Sequence, residues 1–156
     1  MNDETPIAPR LGEIGLANFA PYLMNRIMGR YNASLRDELA GQGLSTPKMR
    51  ALAVLSVIEG PLIRDLAVYA VVETSTLSRA LDQLASDGLV RREVDASDSR
   101  AARMFITGAG RAAFEALWPQ MAASYARMFR GIPEAERGAF VGTLQKMLAN
   151  IRKHEI

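Results

Sequence analysis

From Leu16 to Leu39 the residues Leu16, Phe19, Ala20, Leu23, Ile27, Tyr31, Leu35 and Leu39 recur at steps of three and four. That spacing lines one face of an α-helix and predicts a long amphipathic one. Asn18 is the expected N-cap, which puts Pro21 in the first turn, where a missing amide hydrogen costs little. The helix should close near "AGQG", where Gly41 and Gly43 can take left-handed backbone. "LSTPKMRALAVLSVIEG" brings its own start and stop signals: Ser45 or Thr46 as cap, Pro47 at the first helical position, Gly60 beyond the end. Two shorter segments follow, "IRDLAVYA" and "ETSTLSRALDQLASDG", separated only by Val71 and Val72. In the second, Leu77, Leu81 and Leu84 share one face while Ser75, Thr76, Ser78, Arg79 and Asp82 fill the rest. Two short helices about a tight turn make a helix-turn-helix, whose second helix can enter a DNA major groove.

Gly88 ends that helix, and "LVRREV" and "ARMFIT" read as strands of a β-hairpin around "DASDSRA". A hairpin placed directly behind a helix-turn-helix is a wing. From Thr107, a cap candidate, Phe114, Leu117, Trp118, Met121, Tyr125 and Met128 trace a further apolar stripe, in which Pro119 should kink or divide the helix. A last helix opens at Pro133, with Phe140, Leu144, Met147, Leu148 and Ile151 on one side. The expected fold is mostly α with a small β-hairpin wing (α+β), a winged helix-turn-helix core flanked by long dimerisation helices. Its expected parts are a flexible arm over 1–13, dimerisation helices over 14–43 and 108–156, and a DNA-binding lobe over 44–107. The short middle elements can share one core. The stripes of the first and last helices exceed what that core can cover, so they need another partner.

Composition narrows the function. At 156 residues and 49% hydrophobic the chain suits one compact domain or a small core with helical extensions. The net charge of +2 is compatible with a nucleic-acid partner without requiring one. With no cysteine there are no disulfides and no thiolate metal sites. The sole histidine, His154, lies near the C-terminal residue, so thiol catalysis and zinc binding lack support and no cofactor is expected. The pair Asp95 and Asp98 sits among arginines that should keep both ionised, which disfavours general acid-base work. No apolar run approaches a membrane span and no signal-like core opens the chain, so a cytoplasmic protein is expected.

In "REVDASDSRAARMFIT" the acids interrupt a set of arginines. Arginine suits a wing tip because its guanidinium can enter the minor groove. Asp98 makes sense as a brace holding an arginine through a charge-assisted hydrogen bond. On the preceding helix, hydroxyl residues can approach phosphates and base edges, and Arg79 can reach guanine or backbone. "STLSRALDQLASDGLVRR" followed by "DASDSRAARMFITGAGR" resembles the MarR family of bacterial transcription regulators. Asp98, Ser99 and Arg100 match its wing motif, and Ile106, Thr107 and Gly110 match its strand exit. The resemblance implies a homodimer with intertwined first and last helices, reading double-stranded palindromic DNA and released by a small anionic, often aromatic, ligand. It places Thr74, Ser75, Thr76, Ser78 and Arg79 at the major groove and Arg100 in the minor groove, braced by Asp98. Arg103 is left between phosphate contact and none. The chain departs from the pattern at Val71, where the family's turn usually has glycine, and at Glu73, where a better N-cap is common.

Effector residues are read from composition and helix position: Tyr22, Asn25, Arg26, Met49, Arg50 and Trp118, with an arginine to hold a carboxylate. "PYLMNRI" resembles the first helix of members that respond to aromatic acids or their CoA thioesters. The competing reading is a winged helix used for protein contacts, or a ligand-binding dimer without sequence-specific DNA binding.

Overall fold

A computed structural model describes residues 8–156. Most of the predicted arm, 1–7, lies outside the described residues. Next come α1 (Leu11–Ile14) and a single 3-10 turn (Leu16–Asn18), followed by α2 (Ala20–Ala40), α3 (Thr46–Leu55), α4 (Ile63–Ala70) and α5 (Thr74–Ser86). The hairpin β1 (Val90–Val94) and β2 (Ala102–Ile106) leads into α6 (Gly108–Met128) and α7 (Glu134–Ile151).

The cap signals act mostly where the sequence puts them. Ser45 accepts the Lys48 amide, and Thr107 accepts the Gly110 amide at 3.1 Å. Gly43 takes the left-handed conformation after α2 with φ +69°, whereas Gly41 stays right-handed at −68°. Asn18 is not the N-cap of α2. Phe19 holds that position, because Asn18 is already inside the 3-10 turn and donates its side-chain amide to the Ile14 carbonyl. Pro21 remains in the first turn, as a residue without an amide hydrogen can. Helix α3 stops at Leu55, short of the predicted end, and Gly60 lies past a turn with φ +64°. Pro119 does not divide α6, which runs through it with only one amide donor missing.

One apolar core joins α3, α4, α5 and the hairpin: Leu52, Leu66, Leu77, Leu81, Leu84 and Met104 are fully buried. A second cluster of Leu35, Leu39, Met49 and Leu117 fastens α2 and α6 to that lobe. The hairpin is antiparallel, pairing Val90 with Ile106 and Val94 with Ala102. Its outer edge takes a short third segment, since the Met104 amide donates to the Pro61 carbonyl at 3.0 Å and Leu62 bridges Arg103.

The hairpin is locked to α6 by two residues of its exit. Thr107 Oγ1 donates to the Gly88 carbonyl at 2.6 Å while capping α6. At Gly110 a Cβ would lie 1.9 Å from the Leu89 carbonyl oxygen, so only glycine lets helix and strand approach this closely.

Candidate nucleic-acid interface

Helix α5 buries Leu77, Ala80, Leu81 and Leu84 and turns a polar face outward. Thr74, Ser75, Thr76 and Arg79 are exposed and Ser78 is half-buried, so the structure gathers all five on or beside one accessible surface. The turn before α5 is tight: Val71 adopts φ +53°, ψ +50°, the left-handed region that glycine reaches without strain. Glu73 occupies the N-cap position without making a side-chain cap. Its carboxylate accepts the Ser75 hydroxyl at 2.9 Å instead. Arg92 of β1 donates to Asp82 of α5 at 3.1 Å, tying the wing to the outer face of the helix.

The wing is organised by Asp95, which is only 8% exposed. One carboxylate oxygen accepts the Ser97 hydroxyl at 2.6 Å and the amides of Ser97 and Asp98. The other accepts Arg103 Nε at 2.6 Å. The bonds from Ser97 and Arg103 hold the Asp95 carboxyl down at about 2, so it is ionised at neutral pH. Arg103 also donates from Nη1 to the Gly60 carbonyl at 2.8 Å. Its guanidinium thus joins the wing root to the segment before α4.

Asp98 has a different task. Its Oδ1 accepts the Arg100 backbone amide at 3.0 Å and Arg100 Nε at 3.4 Å. A single oxygen serves both donors, so the contact is not a bidentate fork. The Arg100 side chain stays 90% exposed and points a free guanidinium edge outward. Ser97 was not singled out in the sequence, and Gly60 only as a helix stop. The spacing Asp95-x-Ser97 carries the signal of a side-chain-closed turn, whereas the Gly60 partnership arises only in the fold.

Of the six expected effector residues, Tyr22 and Arg26 alone are brought together. Tyr22 and Arg26 line a cleft of about 590 Å³ between α2 and α6, joined by Arg30, Tyr31, Ser34, Ser124 and Arg127. Arg26 donates to the Tyr22 hydroxyl at 2.9 Å, and Arg127 donates to the buried Ser124 hydroxyl at 3.1 Å. Three guanidinium groups face this cleft and none of its lining residues is acidic. Asn25 is exposed and does not line it. Met49 is buried in the second apolar cluster, and Arg50 donates to the Val71 carbonyl. Trp118 stands in a separate groove with Ala53, Val57, Phe114 and Met121. Periodicity cannot divide aromatic and methionine residues between core and cleft, since that depends on how α2, α3 and α6 pack. Arg30 and Arg127 were missed because no local motif marks them.

The MarR family model matches residues 42–101, the stretch holding α3 to the wing tip. A crystal structure of a MarR-family transcriptional regulator from Silicibacter pomeroyi is 63% identical, covers 95% of this chain and 100% of that one, and superposes with TM-score 0.91. The HTH-type transcriptional repressor IacR of Pseudomonas putida is 26% identical over 90% of this chain and 81% of its own. CouR of Rhodococcus jostii, solved with p-coumaroyl-CoA, shares 23% identity and the fold, with TM-score 0.76 over 90% of this chain and 99% of that one. Near-complete coverage at 63% identity, together with a polar recognition helix and an arginine-tipped wing, settles the assignment: the chain belongs to the MarR family of transcription regulators.

Proposed function

We propose that the protein is a homodimeric repressor that seats α5 in the major groove and Arg100 in the minor groove of a palindromic operator. The observation that carries this reading is the division of work in the wing. Asp95, Arg103 and Gly60 fix the root, while Arg100 is left with its charge exposed at the tip. A turn whose charges served only solvation would not need a buried carboxylate with four hydrogen bonds at its base. Thr74, Ser75, Thr76 and Arg79 supply phosphate and base-edge contacts, with Ser78 at the margin of the same surface.

Uncovered apolar surface supports the dimer. Helix α7 buries none of its residues, and Phe140, Leu148 and Ile151 are 45%, 60% and 77% exposed. On α2, Leu23, Ile27 and Met28 are each more than 40% exposed. A second copy covering these faces brings two recognition helices to one side, about 34 Å apart for successive major grooves. The arginine-lined cleft suits an anionic effector, an aromatic acid or acyl-CoA, with Arg26, Arg30 and Arg127 meeting its charge and Tyr22 and Tyr31 its apolar part. CouR, which binds p-coumaroyl-CoA, gives the ligand class a precedent within the fold.

A salt titration of binding to a duplex selected by the protein from a randomised pool tests this reading. Affinity should fall by about 10³-fold between 50 and 200 mM salt, the response of roughly six phosphate contacts. A flat response would favour a winged helix used for protein contacts. For the effector, p-coumaroyl-CoA should raise the melting temperature of the wild type more than that of Arg127→Ala.

A further inference from the structure

Arg50 on α3 reaches the turn that precedes the recognition helix, its Nη1 donating to the Val71 carbonyl at 3.1 Å. Among the described residues Val71 is the only non-glycine with positive φ. A β-branched side chain makes that conformation costly, so surrounding structure must hold it. The Val71 side chain cannot supply the hold, being 77% exposed. Two backbone bonds close the turn, from the Val71 amide to Val68 and from the Val72 amide to Ala67, each at 3.2 Å. Arg50 adds a third, and it comes from outside the turn.

A second acceptor stands on the helix packed against α3, where Leu39 of α2 and Met49 of α3, the chain neighbours of Glu38 and Arg50, share one buried cluster. Glu38 of α2 keeps its Oε2 buried with no hydrogen-bond partner among the described residues. Glu38 and Arg50 share a neighbourhood with Tyr31: burial is the main cause raising the Tyr31 pKa, Glu38 raises it further and Arg50 lowers it. Tyr31 lines the arginine-bearing cleft.

We propose that Arg50 is a positioning residue with two alternative acceptors, the Val71 carbonyl and the Glu38 carboxylate, and that its choice sets the order of the turn that aims α5. A buried oxygen without a donor is a standing cost, and a carboxylate adds its own charge to the guanidinium's hydrogen bond where a carbonyl does not. In this structure the guanidinium serves Val71 and the carboxylate waits. A ligand that displaces Tyr31 alters the surroundings of both charges and draws Arg50 from the turn. That ligand-driven half rests on the effector reading of the cleft; the latch between Arg50 and Val71 does not.

Amide hydrogen exchange on the full-length, ligand-free protein tests the latch. Arg50→Met should speed exchange over 71–77 by about tenfold, the scale of one hydrogen bond to a charged donor. Glu38→Gln, which weakens the competing acceptor, should slow it. Adding Val71→Gly to Arg50→Met should restore wild-type exchange, because glycine holds positive φ without outside help. Arg50→Gln replaces Arg50→Met should the latter fold poorly. Three results would overturn the latch: unchanged exchange in Arg50→Met, a loss that Val71→Gly leaves unrepaired, or faster exchange in Glu38→Gln. Failure of the effector reading is seen separately, as a cleft that takes neither inorganic phosphate nor p-coumaroyl-CoA. The comparison of these variants with the wild type contains no ligand and decides the latch alone.

Discussion

The arginines of the wing share a residue type and differ in what holds them. Arg100 keeps its side chain 90% exposed, whereas Arg103 is gripped by a buried carboxylate and a backbone carbonyl. Arg100→Ala should therefore weaken operator binding by about 1–3 kcal/mol and leave the melting temperature unchanged. Arg103→Ala should lower the melting temperature as well, because it leaves Asp95 a buried charge without its cation. Asp95 also sets a pH response. Its folded pKa, about 2, lies below the ordinary carboxylate value of 3.8, so its contribution is fully present above pH 4 and is lost as pH falls towards 2. Melting measured across that window should show a smaller pH dependence in Asp95→Asn than in the wild type. The sequence showed that Asp98 and Arg100 belong to a wing and left Arg103 open. Its partner Gly60 is 43 positions away, joined to it only when the third segment packs along β2.

The helices and the hairpin were legible because each carries its own signals. Ser45, Thr107 and Pro133 mark helix starts, and apolar spacing marks the buried face of α5 and, on α2, the buried end at Leu35 and Leu39. Asn18 misled because a preceding 3-10 turn claimed it, which a local cap rule cannot foresee. The left-handed Val71 ran against its own propensity, and tertiary hydrogen bonding from Arg50 prevailed. At element scale the join between wing and α6 is the least tolerant point. Gly110→Ala would push a methyl into the Leu89 carbonyl, and we expect a loss of about 3 kcal/mol by chemical denaturation. Leu81→Ala, which empties a fully buried position between α5 and the core, should cost a similar amount, roughly 2–5 kcal/mol.

Across the whole molecule, the compact winged lobe is complete in one chain, whereas α2, α6 and α7 leave apolar faces uncovered. Removing residues 134–156 should abolish the dimer in sedimentation while the lobe's buried core survives, seen as retained protection of α5 in hydrogen exchange. The arginine-lined cleft sits where those same helices α2 and α6 meet, close to the Tyr31 neighbourhood of Arg50. In the proposed function, association and effector binding share α2 and α6 while α5 and the wing read the operator, and the packing of those long helices is what a single-chain sequence pattern least reveals. In the proposed function two copies of the chain grip one palindromic duplex through paired recognition helices and Arg100-tipped wings. A fluorescence anisotropy titration of the selected duplex, run on wild type and Arg100→Ala at two salt concentrations, tests it most directly. Two chains per duplex are expected, with affinity that weakens steeply with salt and a salt slope smaller by about one for Arg100→Ala. One chain per duplex, or an Arg100→Ala curve superimposed on the wild type at both salts, would contradict it.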